Sequence, residues 1–202
     1  MKVLLRSASL LALAAAALAA HADVLIGNLS GPVGSSTVLE VGASAAMGFT
    51  TPAGLPSLLT GATLRLQYLG YSTTLRIYNN SAADNPGTPL ATLLNDPAAQ
   101  SNDSYSFAPT APFLFAPSTT YWLVLSNNDA GAGGGAYWKT TTLTPTGAAT
   151  HFGSRIGNST PPTGGFSALS SYAIAVNPTP EPSALAALGL GAVAMLKRHK
   201  RA

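Results

Sequence analysis

Turn-forming residues recur through most of this chain, and no stretch between them has the periodicity of a helix. Gly, Pro, Ser, Thr and Asn mark these turns between residues 23 and 176, and short runs rich in β-branched and aromatic residues separate them. A spacing of about eight to twelve residues between turns is typical of all-β sandwiches and barrels. The sequence therefore predicts an all-β domain over residues 23–176.

Two neighbouring segments show the clearest strand pattern, an alternation of apolar and polar residues. Residues 62–69 (ATLRLQYL) place Arg65 on the polar face, and residues 74–78 (TLRIY) repeat the pattern around Arg76. A period of two is that of a half-buried strand. We expect these two strands to pair as a hairpin.

Three other segments complete the predicted domain. Residues 119–126 (TTYWLVLS) are apolar on both faces, which predicts a central strand covered on both sides. Residues 143–165 are rich in Gly, Pro, Ser and Thr and are interpreted as loops. A closing strand is expected over residues 172–176, and it runs directly into a Pro-rich segment.

The formal charge and the cysteine content of the chain exclude some classes of partner, covalent bond and metal site. Between residues 23 and 177 there are four cations and six anions, so the formal charge of +3 on the whole chain comes from its ends. Without a basic patch that contains aromatics, nucleic acid is not an expected partner. The chain has no cysteine, so disulfides and thiolate metal sites are excluded. No cofactor is expected.

The first residues have the order of a secretory signal peptide. A positively charged start precedes an apolar run over residues 10–20 and the small-x-small sequence Ala20-His21-Ala22. This order predicts a signal peptide over residues 1–22, export through the Sec translocon and a mature chain that begins at Asp23.

The last 26 residues, 177–202, have three parts in a fixed order. The Pro-rich hinge carries Pro180-Glu181-Pro182, an apolar run follows over residues 183–196, and a basic cluster ends the chain. Two prolines fix φ and remove two backbone donors, so we expect the hinge to be extended and held clear of the folded domain. An extended peptide is the form in which proteases bind their substrates.

The apolar run is short for a membrane span. A helix over residues 183–196 would be roughly 21 Å long, at about 1.5 Å per residue, whereas a bilayer core is about 30 Å thick. Local thinning or snorkelling of the flanking cations would allow it to span the inner membrane transiently, with its basic end on the cytoplasmic side.

This three-part tail resembles the PEP-CTERM sorting signal, in which a Pro-Glu-Pro motif precedes a short apolar helix and an Arg/Lys cluster. The resemblance implies export by a Gram-negative bacterium and cleavage by an exosortase, a membrane-embedded cysteine transpeptidase. It also implies an association with extracellular polysaccharide and biofilm. Pro180, Glu181 and Pro182 would carry recognition, and His199 interrupts the basic run.

The order of segments LRLQY, TLRIYNN, DNPGTPLATL, STTYWLVLS and AYWKTT resembles the choice-anchor type of bacterial surface domain. This resemblance covers residues 23–176. It implies a jelly-roll-like antiparallel β-sandwich without an established enzymatic role.

Catalytic and metal-binding patterns are weak in the domain. His151 is its one histidine and lies in a segment interpreted as a loop, and Glu40 is its one glutamate. The sequence contains no Gly-x-Ser-x-Gly elbow, so a catalytic site is not expected. Calcium could use Asp84, Asp103 or Asp129, but these aspartates stand in turn contexts, where capping is the favoured role and no metal site is expected.

Aromatic residues give the domain one alternative activity, the stacking of sugar rings. Trp138, Tyr137 and Trp122 are the candidates, and Trp138 lies beside Lys139 and a Gly-rich loop. A core role is favoured for aromatics on strands. The leading hypothesis is thus a non-enzymatic cell-surface or matrix protein. The alternatives are a carbohydrate-binding module and a secreted hydrolase.

Overall fold

The computed structural model describes residues 24–54, 56–69, 73–99, 103–128, 136–167 and 171–180. These residues form strands and one short 3₁₀ turn, which confirms the predicted all-β class. In chain order the elements are β1 (Ile26–Gly27), β2 (Val33–Leu39), β3 (Ser44–Thr50), β4 (Ser57–Tyr68), β5 (Thr73–Asn80), β6 (Pro86–Asn95), the 3₁₀ turn Pro97–Ala99, β7 (Ser104–Pro109), β8 (Leu114–Phe115), β9 (Thr120–Asn127), β10 (Ala136–Thr141), β11 (Thr150–Gly157), β12 (Phe166–Ser167), β13 (Ser171–Tyr172) and β14 (Ile174–Pro180).

Ten strands form one strongly curled antiparallel sheet with the shape of a half-barrel. Their order is β1-β14-β4-β7-β6-β5-β9-β3-β11-β12. Strand β10 lies off this path and pairs with β2, with β13 and with the end of β4. The partner of β4 changes along one edge, since Leu64 lies opposite Ile174 of β14 whereas Leu66 lies opposite Trp138 of β10.

Strand β9 is the centre of the packing. Every residue from Tyr121 to Asn127 is buried. On one face Leu123 and Leu125 join the main core, and on the other face Trp122 and Val124 join a smaller cluster. The prediction of a central strand covered on both sides is confirmed.

Four aromatic rings fill one part of the main core. Phe115 lies 5.1 Å from Tyr121 and 5.6 Å from Phe49, and Phe113 lies 5.1 Å from Phe115, all in edge-to-face arrangements. Contacts of this geometry stabilise a core beyond the burial of their area. The Tyr121 hydroxyl remains satisfied because it accepts a hydrogen bond from the Ala116 amide at 2.9 Å.

The predicted hairpin between the strands that carry Arg65 and Arg76 is wrong. Strand β4 pairs with β7 and β14, whereas β5 pairs with β6 and β9. Alternation specifies which face of a strand is buried, and it does not specify which strand lies beside it.

The interpretation of residues 143–165 as loops is wrong over Thr150–Gly157, which form β11 and pair with β3. The small residues that suggested a loop have a packing role instead. At Gly153, with φ +152°, an added Cβ would lie 2.5 Å from the ring of Phe166. Glycine is required there by close approach and by backbone conformation.

Among the described residues, no helix has the length and apolar character needed to cross a bilayer. The predicted signal peptide and the predicted tail helix over residues 183–196 both lie outside the described residues.

Candidate functional site

The last described strand carries the chain from the sheet into the Pro-rich segment. Strand β14 pairs with β4 as far as Pro180, which lies opposite Ser57. Residues 177–180 are extended, as predicted, but the expectation that they are held clear of the folded domain is wrong. The first residues of the long strand β4 have backbone groups that need partners, and β14 lies along them.

The end of β14 has few backbone donors. Pro178 and Pro180 have no N–H group, so Thr179 is the only possible backbone donor among the last three residues. The register also shifts between Asn177 and Pro178. One side-chain contact supports this region, because the Thr60 hydroxyl donates to the Asn177 carbonyl oxygen at 2.7 Å.

Both ends of the described chain leave the sheet on the same side. Ile26 of β1 lies opposite Val176 of β14 in antiparallel register, and the Leu25 amide donates to the Val176 carbonyl at 2.8 Å. The first described residues, which precede β1, therefore lie beside the last residues of β14. The predicted signal-peptide cleavage site at Ala20 and Ala22 lies outside the described residues, as do Glu181 and Pro182.

Trp138 is a core residue, the role that the sequence favours for aromatics on strands, and the alternative in which it stacks on a sugar ring is wrong. Its indole is fully buried and stacks on Tyr172 with ring centroids 4.5 Å apart. Its Nε1 donates to the carbonyl oxygen of Ala173 at 3.3 Å. Neighbouring Tyr137 is half-buried on the same strand and lies opposite Tyr68.

Trp122 is equally inaccessible, so its candidate stacking role is also wrong. Its side chain is fully buried against the edge of Phe152, at a centroid distance of 5.5 Å. Its Nε1 donates to the Asn80 side-chain oxygen at 2.8 Å. The guanidinium of Arg155 lies over the ring at 5.9 Å. This face of β9 is thus a small second core.

Asp103 is the centre of the strongest charged cluster in the described residues. Its carboxylate accepts hydrogen bonds from Arg65 at 2.7 Å and from Lys139 at 2.6 Å. The Arg65 hydrogen bond, with help from Lys139 and the two charges, lowers the pKa of Asp103 to about 2. The expectation of a turn-capping role is wrong for Asp103. The sequence missed this cluster because its members lie on β4, on β10 and directly before β7.

The other described aspartates follow the turn chemistry that the sequence predicts. The Asp96 carboxylate accepts from the Ala98 amide at 3.0 Å, and that of Asp84 accepts from the Asn80 side chain at 2.9 Å. No group of three or more His, Asp or Glu side chains suited to a metal ion occurs in the described part of the chain. Asp129 lies outside the described residues.

His151 lies on β11 and not in a loop. Burial lowers the pKa of its imidazole, and its Nε2 is buried without a hydrogen-bond partner among the described residues. No described hydroxyl or carboxylate is placed to form a triad with it. A nucleophile–base pair would need a hydrogen bond of about 2.6–3.2 Å.

The comparison with known families identifies the tail. Residues 178–201 match the profile of the PEP-CTERM protein-sorting motif. The resemblance predicted from the Pro-Glu-Pro hinge, the apolar run and the basic end is confirmed. The motif implies an exported protein that an exosortase processes and sorts to the cell surface. A comparison with curated proteins gave no match.

Proposed function

We propose that this protein is a non-enzymatic component of the bacterial cell surface or extracellular matrix. Its tail is cut close to Pro180-Glu181-Pro182, after export through the Sec translocon and the inner membrane of a Gram-negative host. The mature domain then contributes adhesion or structure within an extracellular polysaccharide or biofilm. The PEP-CTERM motif over residues 178–201 is the observation that carries this proposal.

The position of β14 in the fold supports sorting of the protein by its C-terminal tail. Strand β14 ends at Pro180, so no linker of free chain separates the sheet from the motif. Leu25 lies beside β14, so the two ends of the described chain lie on one side of the domain. This placement allows the predicted signal peptide, before its removal, and the tail to reach the membrane on that side.

The domain is interpreted as a jelly-roll-like sandwich of the choice-anchor type. The antiparallel pairing of the described strands, and the frequent pairing of strands distant in sequence, support this interpretation. The two tryptophans give no support to the carbohydrate-binding alternative, because both indoles are buried in the core and cannot stack on a sugar ring. The hydrolase alternative has no specific support from His151, which has no described partner.

The test of the proposal is the C-terminal mass of the protein in a host that carries an exosortase. The full chain, a Glu181→Ala variant and a matched Ser183→Ala variant are expressed, and their C-terminal peptides and surface release are followed. We expect loss of the tail in the full chain and in Ser183→Ala, and retention in Glu181→Ala. Equal processing of all three would remove the recognition role of Glu181.

A further inference from the structure

A groove on the outer side of the sheet lies beside β5 and β6. Arg76 of β5, Pro89 to Thr92 of β6, and the loop from Thr110 to Phe113 line it, and its volume is about 470 Å³. Ligand sites in proteins commonly have volumes of about 300–1,000 Å³. Three strands, β4, β7 and β6, separate β5 from β14 in the sheet, whereas at the other end of the groove the Phe113 carbonyl accepts a hydrogen bond from Leu59 of β4, which lies opposite Pro178.

Arg76 reaches the groove because of the alternation along β5. Leu75 and Ile77 face the main core, so Arg76 lies on the opposite face. Its backbone is opposite Thr92 of β6 on one side and Val124 of β9 on the other. The backbone of Arg76 therefore lies within the sheet and not on a loop.

The positive charge of Arg76 has no partner among the described residues, unlike the other three cations there. Arg65 and Lys139 share the carboxylate of Asp103. Arg155 donates to two backbone carbonyls and lies 5.0 Å above the ring of Phe166. Arg76 is half-buried, with neither an ion pair nor a hydrogen bond to a described residue. A guanidinium in this position favours an anion that accepts two parallel hydrogen bonds.

The rest of the groove combines hydroxyl groups with apolar surface. The Thr110 hydroxyl and amide both donate to the Thr92 carbonyl oxygen, at 3.2 and 2.9 Å, which fixes the loop against β6. Leu90, which is exposed, Pro112 and half-buried Phe113 supply apolar area. A ligand that fits this lining carries a carboxylate, several hydroxyls and an apolar ring face together.

We propose that this groove binds an acidic saccharide through the carboxylate of a hexuronate residue. Arg76 binds the carboxylate as a bidentate pair, and the Thr92 and Thr110 hydroxyls lie beside the ring hydroxyls. The apolar face of the sugar rests on Leu90 and Pro112. The test of this site does not depend on tail processing.

The test is calorimetric titration of the full chain in detergent with trigalacturonate. We expect binding that weakens as salt is raised, because an exposed ion pair is screened. Arg76→Gln should lower the affinity at least about tenfold, since it removes charged hydrogen bonds. Arg76→Lys should lower it less, because the charge remains while the bidentate geometry is lost. Arg155→Gln, which removes the same charge outside the groove, should leave the affinity unchanged.

Two competitor ligands test which chemical groups of the saccharide the groove recognises. A neutral galactose trimer of the same length should bind at least about tenfold more weakly than trigalacturonate, because it lacks the carboxylates. Triglutamate should also bind more weakly, because it lacks the ring hydroxyls and the apolar ring face. Trigalacturonate binding that is absent, or equal in Arg76→Gln and the full chain, would overturn the proposal, as would equal binding of either competitor.

Discussion

Thr179 lies directly opposite Leu58 in the antiparallel ladder between β14 and β4, so the sorting motif begins inside the folded sheet. An exosortase that binds its substrate as an extended peptide needs the edges of that peptide free. We therefore expect residues 178–180 to separate from β4 before cleavage. Pro178 and Pro180 have no N–H group, so Thr179 is the one residue of this segment that can donate a backbone hydrogen bond to β4.

A disulfide that holds positions 58 and 179 together should slow the cleavage of the tail. Opposite residues in an antiparallel ladder have Cα atoms about 4.5–5.5 Å apart, within the range that a disulfide spans. The chain has no other cysteine, so a Leu58→Cys/Thr179→Cys variant forms a single defined bond. In membrane vesicles that contain an exosortase, we expect the oxidised variant to be cleaved more slowly than the full chain.

The reduced form of the same variant and a Thr179→Cys single variant are the controls. Both should be cleaved at the rate of the full chain, which separates the effect of the lock from that of the substitutions. Cleavage of the oxidised form at the same rate as the reduced form would show that β14 stays paired during processing.

The Asp103 cluster predicts a pH-dependent contribution to stability. The pKa of Asp103 is about 2 in the folded protein, below its ordinary value near 4 in an unfolded chain. The charged carboxylate thus favours folding at pH values above about 4, and this contribution is lost as the pH falls from about 4 to about 2. Asp103→Asn should lower the free energy of unfolding by about 1 kcal/mol at neutral pH, because the pair is partly exposed.

Denaturant titrations at several pH values check this prediction. The difference between Asp103→Asn and the full chain should shrink as the pH falls towards 2. Glu40→Gln is the matched control, since Glu40 is exposed and has no described ion-pair partner. A difference that stays constant from pH 7 to pH 2 would contradict the assigned pKa.

Both tryptophans are buried, so we expect that a soluble quencher cannot reach either indole in the native protein. Trp122 and Trp138 have 0% exposure, so acrylamide should quench them much less in the folded protein than in denaturant. Trp138→Ala should cost about 3–5 kcal/mol of stability, since it leaves a cavity beside Tyr172. Native quenching as strong as that of the unfolded chain would show that an indole is accessible and would reopen the stacking role.

Gly153 offers a test of the β11–β12 packing. Gly153→Ala should lower the free energy of unfolding by about 1–3 kcal/mol, because the added methyl group overlaps the ring of Phe166. Gly165→Ala is the matched control, since a Cβ there meets no atom within 4 Å. Thermal unfolding of both variants measures the difference, and equal melting temperatures would contradict the placement of β12.

The sequence predicts which residues form strands better than it predicts which strands pair. The alternation around Arg65 and Arg76 correctly indicates two half-buried strands, because side-chain period is a local property. Their partners are set by the register of distant segments, as in the pairing of β5 with β9. Small residues also misled the prediction at β11, where Gly153 is needed for close packing and not for a turn.

The tail is predictable from sequence because its signal lies in consecutive residues. The full burial of Trp138 is less predictable, since it depends on Tyr172 of β13. The predicted closing strand over residues 172–176 is two strands, β13 and β14, which pair with different partners. The Arg76 groove is assembled from β5, β6 and the loop that ends at Phe113, and no local pattern marks it. An arginine on the polar face of a central strand was the one available signal.

We expect this protein to be exported and to lose its tail to an exosortase, as the PEP-CTERM motif implies. The most direct measurement is the intact mass of the mature protein from two hosts that differ only in an exosortase gene. With the enzyme, we predict a surface protein that begins at Asp23 and lacks the apolar run over residues 183–196. The same chain, complete to Ala202, should remain in the membrane of the host without the enzyme. Identical C-terminal masses from the two hosts would contradict the claim.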